Sequence, residues 1–455
     1  MHAALITAAP MIRGEQFCGI LSQISSELPR VLDASDINNG EEESGGNMMT
    51  QKNFSKRGAR ALPVGAALVA LLVFSAACSG DAASSSSSQS TTQTESTGGQ
   101  AEQRTNTASV SKGGPGKFQL LDEMAAHRES ASAVVLQDGR ALVLGGRTVS
   151  GGYWLQYERS GEVLDPTNVA AGWSPIADMS VVRADAIAIV LQDGRVLVAG
   201  GEGEQNLPIA SVEIWDPATN TWTATGSMNV ARDLADPVLL PDGRVLIAGG
   251  RSESLGLLAS VEIYDPATGQ WTLVSPLNQA RMDNLTMLLN DGRVLTIGGG
   301  KTDGPYIATA EVYDIATDTW SPAGEMSTGR TAHTATLLAD GRVIAVGGRG
   351  SAARQSADIY DPATNTWTAI ANTTDRRSDH IAERLADGRV LVAGGVGNRN
   401  TTDIWDPATG HWTAGGVMEI GRYNHTGIVF KDGRVLVAGG NTVDGMTATA
   451  EMFTP

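Results

Sequence analysis

Cysteine is nearly missing from this chain of 455 residues: there are two, Cys18 and Cys78. Both precede the region where the sequence repeats, so that region has neither a disulfide nor thiol chemistry. Aromatic residues make up only 5% of the chain. Positive charge is in deficit, with 33 Lys and Arg against 50 Asp and Glu and a net charge of −17. An acidic surface repels phosphate backbones, which excludes nucleic acid as the expected partner; solubility alone accounts for the charge. Glycine, by contrast, is abundant at 54 residues. That balance suits many short strands joined by tight turns rather than long helices.

Residues 48–77 read as an export signal. Lys52, Lys56, Arg57 and Arg60 precede an apolar run at 61–74 that is broken by Pro63 and Gly65. The run is shorter than the ~20 residues a bilayer span needs. It ends in Ser75-Ala76-Ala77-Cys78, which resembles the lipobox of bacterial lipoproteins. The resemblance implies lipidation of Cys78 and attachment to a cell envelope; Ser75 departs from the aliphatic residue usual there. Ordinary cleavage after the small residues is the alternative. Met48 or Met49 is the expected initiator, and residues 1–47 read as a non-native or disordered extension. Residues 78–116 are rich in Ser, Thr, Gln and Gly. Such a stretch cannot bury enough apolar surface to offset its ordering entropy, so it is expected to be a flexible tether.

Residues 117–455 are periodic. Asp-Gly-Arg occurs seven times, beginning at Asp138, Asp193, Asp242, Asp291, Asp340, Asp387 and Asp432. Each triplet leads into an apolar run that ends in Gly-Gly, as in Val196-Leu197-Val198-Ala199-Gly200-Gly201. Ten residues before each Asp stands an arginine: Arg128, Arg183, Arg232, Arg281, Arg330, Arg377 and Arg422. A second signature follows each glycine pair, shown in full by Glu262-Ile263-Tyr264-Asp265-Pro266 and then Trp271.

This pattern predicts four strands per repeat. Asp-Gly calls for a tight hairpin with positive φ, joining a first strand (a) to a second (b). The b run is apolar at nearly every position, as in a strand covered on both faces by neighbouring sheets. Glu-Ile-Tyr is strand c, Asp-Pro-Ala-Thr is turn chemistry, and Trp-Thr opens the outer strand d. The glycine pair, the spaced Tyr and Trp and the period near 50 residues resemble kelch repeats, and the resemblance covers residues 117–455. It implies an all-β, seven-bladed propeller. The last repeat stops after its strand c, so the outer strand of the last blade is expected from residues 117–120, closing the ring.

Strands alternate in direction, so the a–b and c–d turns share one face of the disc and the b–c and d–a loops the other. The turn face is nearly identical from blade to blade. The variable face is where binding is expected. Two features mark it. The b–c loop of blade one, residues 147–161, carries Tyr153, Trp154 and Tyr157, which suit a sugar ring or a protein partner, or form a satellite core of their own. The second is a set of acids just after the recurring arginines: Glu129, Asp185, Asp233, Asp283 and Asp379. With Asn284, His333, His380 and His425 they are expected at the mouth of the central channel. There the acids either draw a cation or basic ligand or pair with an arginine of their own or the next blade.

No catalytic residue, metal or cofactor is assigned, since no nucleophile, phosphate-loop or zinc signature is present. The expected function is a monomeric, envelope-anchored, non-enzymatic module that binds a protein or glycan. Two enzyme families resemble the repeats. Galactose oxidase shares the propeller but depends on copper and a cysteine-linked tyrosine, and residues 79–455 contain no cysteine. Kelch-type sialic acid mutarotases need only an acid–base pair, for which Glu129 and Asp185 are the candidates.

Overall fold

The computed structural model describes residues 115–150, 154–301, 306–350, 352–397 and 399–455. The extension at 1–47, the signal at 48–77 and nearly all of the tether at 78–116 lie outside the described residues.

Each Asp-Gly-Arg triplet closes a hairpin by division of labour. In blade one the Gly139 N–H donates to the Leu136 carbonyl at 2.9 Å and the Leu136 N–H to the Arg140 carbonyl at 2.8 Å. Gly139 alone takes the left-handed conformation, at φ 92°. The aspartate works through its side chain: Asp138 accepts the Arg140 N–H at 3.0 Å and its guanidinium at 2.8 Å. This is a three-residue loop with glycine at the left-handed position, rather than a two-residue turn in which both residues have positive φ.

The strands assemble into seven four-stranded antiparallel sheets. In blade one they are Ser132–Val135, Ala141–Leu144, Gly161–Leu164 and Trp173–Pro175. In blade seven the chain order breaks: Thr426–Val429, Val435–Ala438 and Ala450–Thr454 are joined at the outer edge by Lys117–Leu120. Phe118 pairs with Phe453 in that register, with ring centroids 4.9 Å apart. Every residue of all seven b strands is buried. Seven apolar clusters fill the seven interfaces between successive blades, including one that joins blade seven to blade one.

A buried ion pair holds each blade. Arg232 is fully buried and donates to the carbonyls of Gly249 and Ser260, at 2.7 and 3.0 Å, and to Glu262 of strand c at 2.7 Å. The other six recurring arginines meet Glu162, Glu213, Glu311, Asp358, Asp403 and Glu451 in the same way. The backbone of the same arginine reaches the preceding blade, where Gly201 donates its N–H to the Arg232 carbonyl at 2.9 Å. The glycine pair permits that approach: a Cβ on Gly200 would stand 2.5 Å from the Arg232 carbonyl oxygen, and one on Gly201 2.6 Å from that of Ala184. The d-strand tryptophans add a further link, as Trp271 donates to the Gly226 carbonyl of the blade before it at 2.9 Å.

Candidate functional site on the variable face

The channel mouth rests on a repeated backbone device. Two residues after each recurring arginine the chain enters the left-handed region, at Ser130, Asp185, Leu234, Asp283, Ala332, Asp379 and Asn424, with φ of 48–57°. Their amides hand hydrogen bonds from blade to blade around the channel: Asp185 to Ser130, Asp283 to Leu234, Asp379 to Ala332, Asn424 to Asp379 and Ser130 to Asn424, at 2.9–3.2 Å. Asp and Asn tolerate this conformation better than most residues with a side chain. Three of the acids read from the sequence as mouth charges therefore also occupy a position with a backbone reason for Asp.

The acids are paired, but not with the recurring arginines, which are spent on strand c. Their partners follow the glycine pairs. Arg147 meets Asp185 and Glu202 at 2.5 Å and Glu129 at 3.8 Å. Arg251 bridges Glu202 and Asp233 at 2.6 Å each, and Arg349 meets Asp379 at 2.7 Å. Glu129 also accepts the side-chain amides of Asn424 and Asn441. Among the described residues Asp283 makes no ion pair with an arginine; it accepts the Thr331 hydroxyl at 2.5 Å and the Ala332 N–H at 2.9 Å. Burial raises the pKa of Asp185 to about 6 against the pull of Arg147, and burial also raises those of Asp233 and Asp283. A cavity of about 440 Å³ opens above this network, walled by Arg147, Glu202, Arg251, Arg349 and Asp379 among others.

The histidines do not line the mouth, which corrects the expectation from the sequence. His333, His380 and His425 are buried between blades, 5–9% exposed. Each ring lies over the first glycine of the preceding blade's pair, where a Cβ on Gly298, Gly347 or Gly394 would stand 2.6–2.8 Å from its Cε1. Burial lowers their pKa, that of His380 to about 3. Asn284 fills the same slot against Gly249. This position lies between the left-handed residue and the first residue of strand a, and its side chain turns sideways into the interface rather than toward the axis.

Two further acids, not among those expected from the sequence, lie beside or on the innermost strands. Asp236 directly precedes strand a of blade three, Pro237–Leu239, and accepts the Thr286 N–H at 3.3 Å. Burial pushes its carboxyl up to about 7. Glu383 lies within strand a of blade six, Ile381–Arg384, and burial pushes it up to about 8. Comparing the repeats exposes Glu383: six residues after the arginine the other blades have Val134, Ile189, Val238, Met287, Thr336 and Ile428.

The blade-one loop forms a hairpin, Arg147–Ser150 against Trp154–Tyr157, standing on the variable face. Tyr153 and the side chain of Trp154 lie outside the described residues. Tyr157 donates to Asn206 of the blade-two loop at 2.5 Å, and Glu202 lies 3.4 Å from the same hydroxyl. Between hairpin and loop runs a groove of about 570 Å³, lined by Leu155, Gln156, Tyr157, Val182, Glu204, Gln205 and Asn206.

Exposed large apolar side chains gather on the same face. Val149, Leu155, Leu207, Leu255, Tyr306 and Val443 stand on b–c loops and Val417 on a d–a loop; among the described residues only Leu120 and Leu273, on outer strands, lie elsewhere.

Seven repeats of a Gly-Gly b strand and a Tyr–Trp pair, closed into a ring, define a kelch-type β-propeller, a class that generally binds protein partners. The KLHDC2/KLHL20/DRC7 Kelch-repeats domain family matches residues 183–395 and 238–440, more than half of the chain, and the chain belongs to the kelch-repeat family. An F-box/kelch-repeat protein of Arabidopsis thaliana is 31% identical over 105 residues, covering 23% of this chain and 27% of that protein. The chain thus matches about a quarter of that relative's length. A fungal alcohol oxidase of the AA5 family, solved in complex with copper, superposes with a TM-score of 0.60 at 19% identity, covering 75% of this chain and 77% of that one. At that identity the likeness is one of fold.

Proposed function

We propose that this protein is an envelope-anchored kelch propeller that binds a protein partner through its variable face. The observation that carries the reading is the distribution of exposed apolar side chains, seven of which crown the variable face. Exposed apolar surface favours interaction, and among the described residues seven of the nine large exposed apolar side chains lie on this one face. Among the described residues, six of those seven are aliphatic. Sugar rings stack on aromatic faces, so the crown suits a protein better than a glycan. The anchoring part of the reading rests on the export signal and on Cys78.

A photo-crosslinking residue placed at Leu255 or Val443, on the variable face, is expected to capture an envelope protein. The same residue at Lys431, beside an Asp-Gly turn, is expected to capture nothing. Crosslinking from Lys431 alone would overturn the assignment of the face. Cys78→Ser should move the protein from the membrane to the soluble fraction and abolish labelling by an alkynyl fatty acid; unchanged fractionation would remove the anchor.

A further inference from the structure

Resting on that reading, we infer that the blade-one hairpin takes up an extended segment of the partner as a third β-strand, laid into the groove beside Trp154–Tyr157. The register carries the inference. Residues 147 and 157 face each other, as do 149 and 155. Arg147 spends both its N–H and its carbonyl on Glu129, at 2.7 and 2.9 Å, on the side away from Tyr157. The 147–157 pair is therefore a non-hydrogen-bonded one. By alternation so is 149–155, and Leu155 and Tyr157 turn their backbone groups outward. No described residue bonds the N–H or carbonyl of either.

This free edge opens onto the groove whose far wall is Glu204, Gln205 and Asn206. The hairpins of blades three and seven have strands of only two residues, Arg251–Ser252 with Gly256–Leu257 and Asn441–Thr442 with Gly445–Met446. Blade one has four per strand, long enough to template an incoming chain. An unprotected strand edge invites such pairing, with main-chain bonds giving affinity and alternate side chains giving specificity.

The groove also describes its occupant. Leu155 is 48% exposed at the edge, and Val182 offers apolar surface within the groove. Glu204 is the one charged group among the lining residues; it is exposed, and among the described residues it has no ion-pair or hydrogen-bond partner. The matching segment alternates apolar residues along one side and sets a lysine or arginine over Glu204. A second copy of this chain, at a net charge of −17, is poorly matched to that wall. The Ser- and Thr-rich stretch at 79–116 lacks the apolar residues.

The test selects binders from a displayed decapeptide library on the full chain. The expected winners show period-two apolar alternation with one basic residue. Nα-methylation of the selected peptide at every second residue in one phase should abolish binding, and in the other phase leave it intact. Leu155→Pro removes one outward N–H without touching a hairpin bond, and should weaken binding at least tenfold. Glu204→Lys should do the same for the basic peptides. Peptides insensitive to methylation phase, to Leu155→Pro and to Glu204→Lys, but displaced by substitutions at Arg349 or Leu255, would sink the strand-addition mode and leave the variable face as the binding surface. Failure to enrich any peptide would overturn the mode as well, while crosslinking from Leu255 would still report on the face. Because the methylated peptides leave the protein unaltered, the result stands even if Leu155→Pro perturbs the hairpin.

Discussion

The two faces of the disc are built by different rules. On the turn face each of the seven Asp-Gly-Arg loops repeats one solution, with the arginine neutralised by the aspartate two residues before it. On the variable face the residue that follows the glycine pair differs from blade to blade: Arg147, Glu202, Arg251, Gly300, Arg349, Val396 and Asn441. Yet the variable face is not free of repetition, since the left-handed ring at its mouth recurs in all seven blades. Position on the disc is thus a poorer guide than recurrence. Features present seven times hold the ring together, and features present once are those available for a partner.

The sharpest way to break that distinction is to remove one buried copy of a repeated element. Arg232→Ala would leave Glu262 charged and buried, with the carbonyls of Gly249 and Ser260 stripped of a donor. Removing one partner of a buried ion pair costs about 3–5 kcal/mol. Urea unfolding should show a loss of that size, the largest of this series. A change below about 1 kcal/mol would mean the recurring arginine is not what holds the blade.

Glu383 tests the opposite case, a charge that occurs once. Its carboxyl is raised to about 8 from 4.5 by burial. The native state therefore keeps a proton that the unfolded chain gives up, and stability falls as pH climbs from about 4.5 to about 8. Glu383→Gln should match the parent near pH 4 and be more stable at pH 9 by a few kcal/mol, since each tenfold change in the ionisation constant is worth on the order of 1.4 kcal/mol. Parallel stability–pH curves for the two proteins would show that the carboxylate is freely hydrated in the channel.

The mouth acids separate charge from backbone. Asp283 sits at φ 53° and accepts two hydrogen bonds. Asp283→Asn keeps a residue suited to the left-handed region and one acceptor, whereas Asp283→Ala loses both. Thermal unfolding should find the alanine variant less stable than the asparagine variant by about 1–2 kcal/mol. Equal melting would mean that the ring is indifferent to what fills it, and that the acid is there for its charge.

The fold is legible in the sequence because one repeat constrains the other six: seven triplets, seven arginines and seven glycine pairs at fixed offsets leave little room for another architecture. The partner of each arginine is legible in principle too, since every repeat also holds an acid at the same place early in strand c, such as Glu262. The histidines are not, because each stands between a left-handed residue and the first residue of strand a, where no strand period dictates its direction, and His333 turns toward Gly298 rather than the channel. Which arginines meet the mouth acids is not legible, because Arg147, Arg251 and Arg349 follow the glycine pair only in alternate blades and reach acids of their own blade, as Arg251 does Asp233, and of a neighbouring one, as Arg349 does Asp379. Glu383 emerges only on aligning the repeats and asking which one puts a charge where the rest have an apolar residue or threonine.

The smallest effect is expected where the repetition is most obvious. Arg244 lies in the blade-three turn, 40% exposed, and meets Asp242 at 2.8 Å. Exposed pairs of this kind contribute about 0.2–1 kcal/mol, and many contribute nothing measurable. Arg244→Ala should therefore shift the melting temperature by no more than a degree or two and leave capture by a crosslinker at Leu255 unchanged. The turn itself is held by Gly243, at φ 91°, and by the Leu240 backbone, neither of which the substitution touches. A loss of partner capture in this variant would mean that the repeated face, and not the irregular one, carries the contact, since no structural cost of that substitution is large enough to act at the opposite side of the disc.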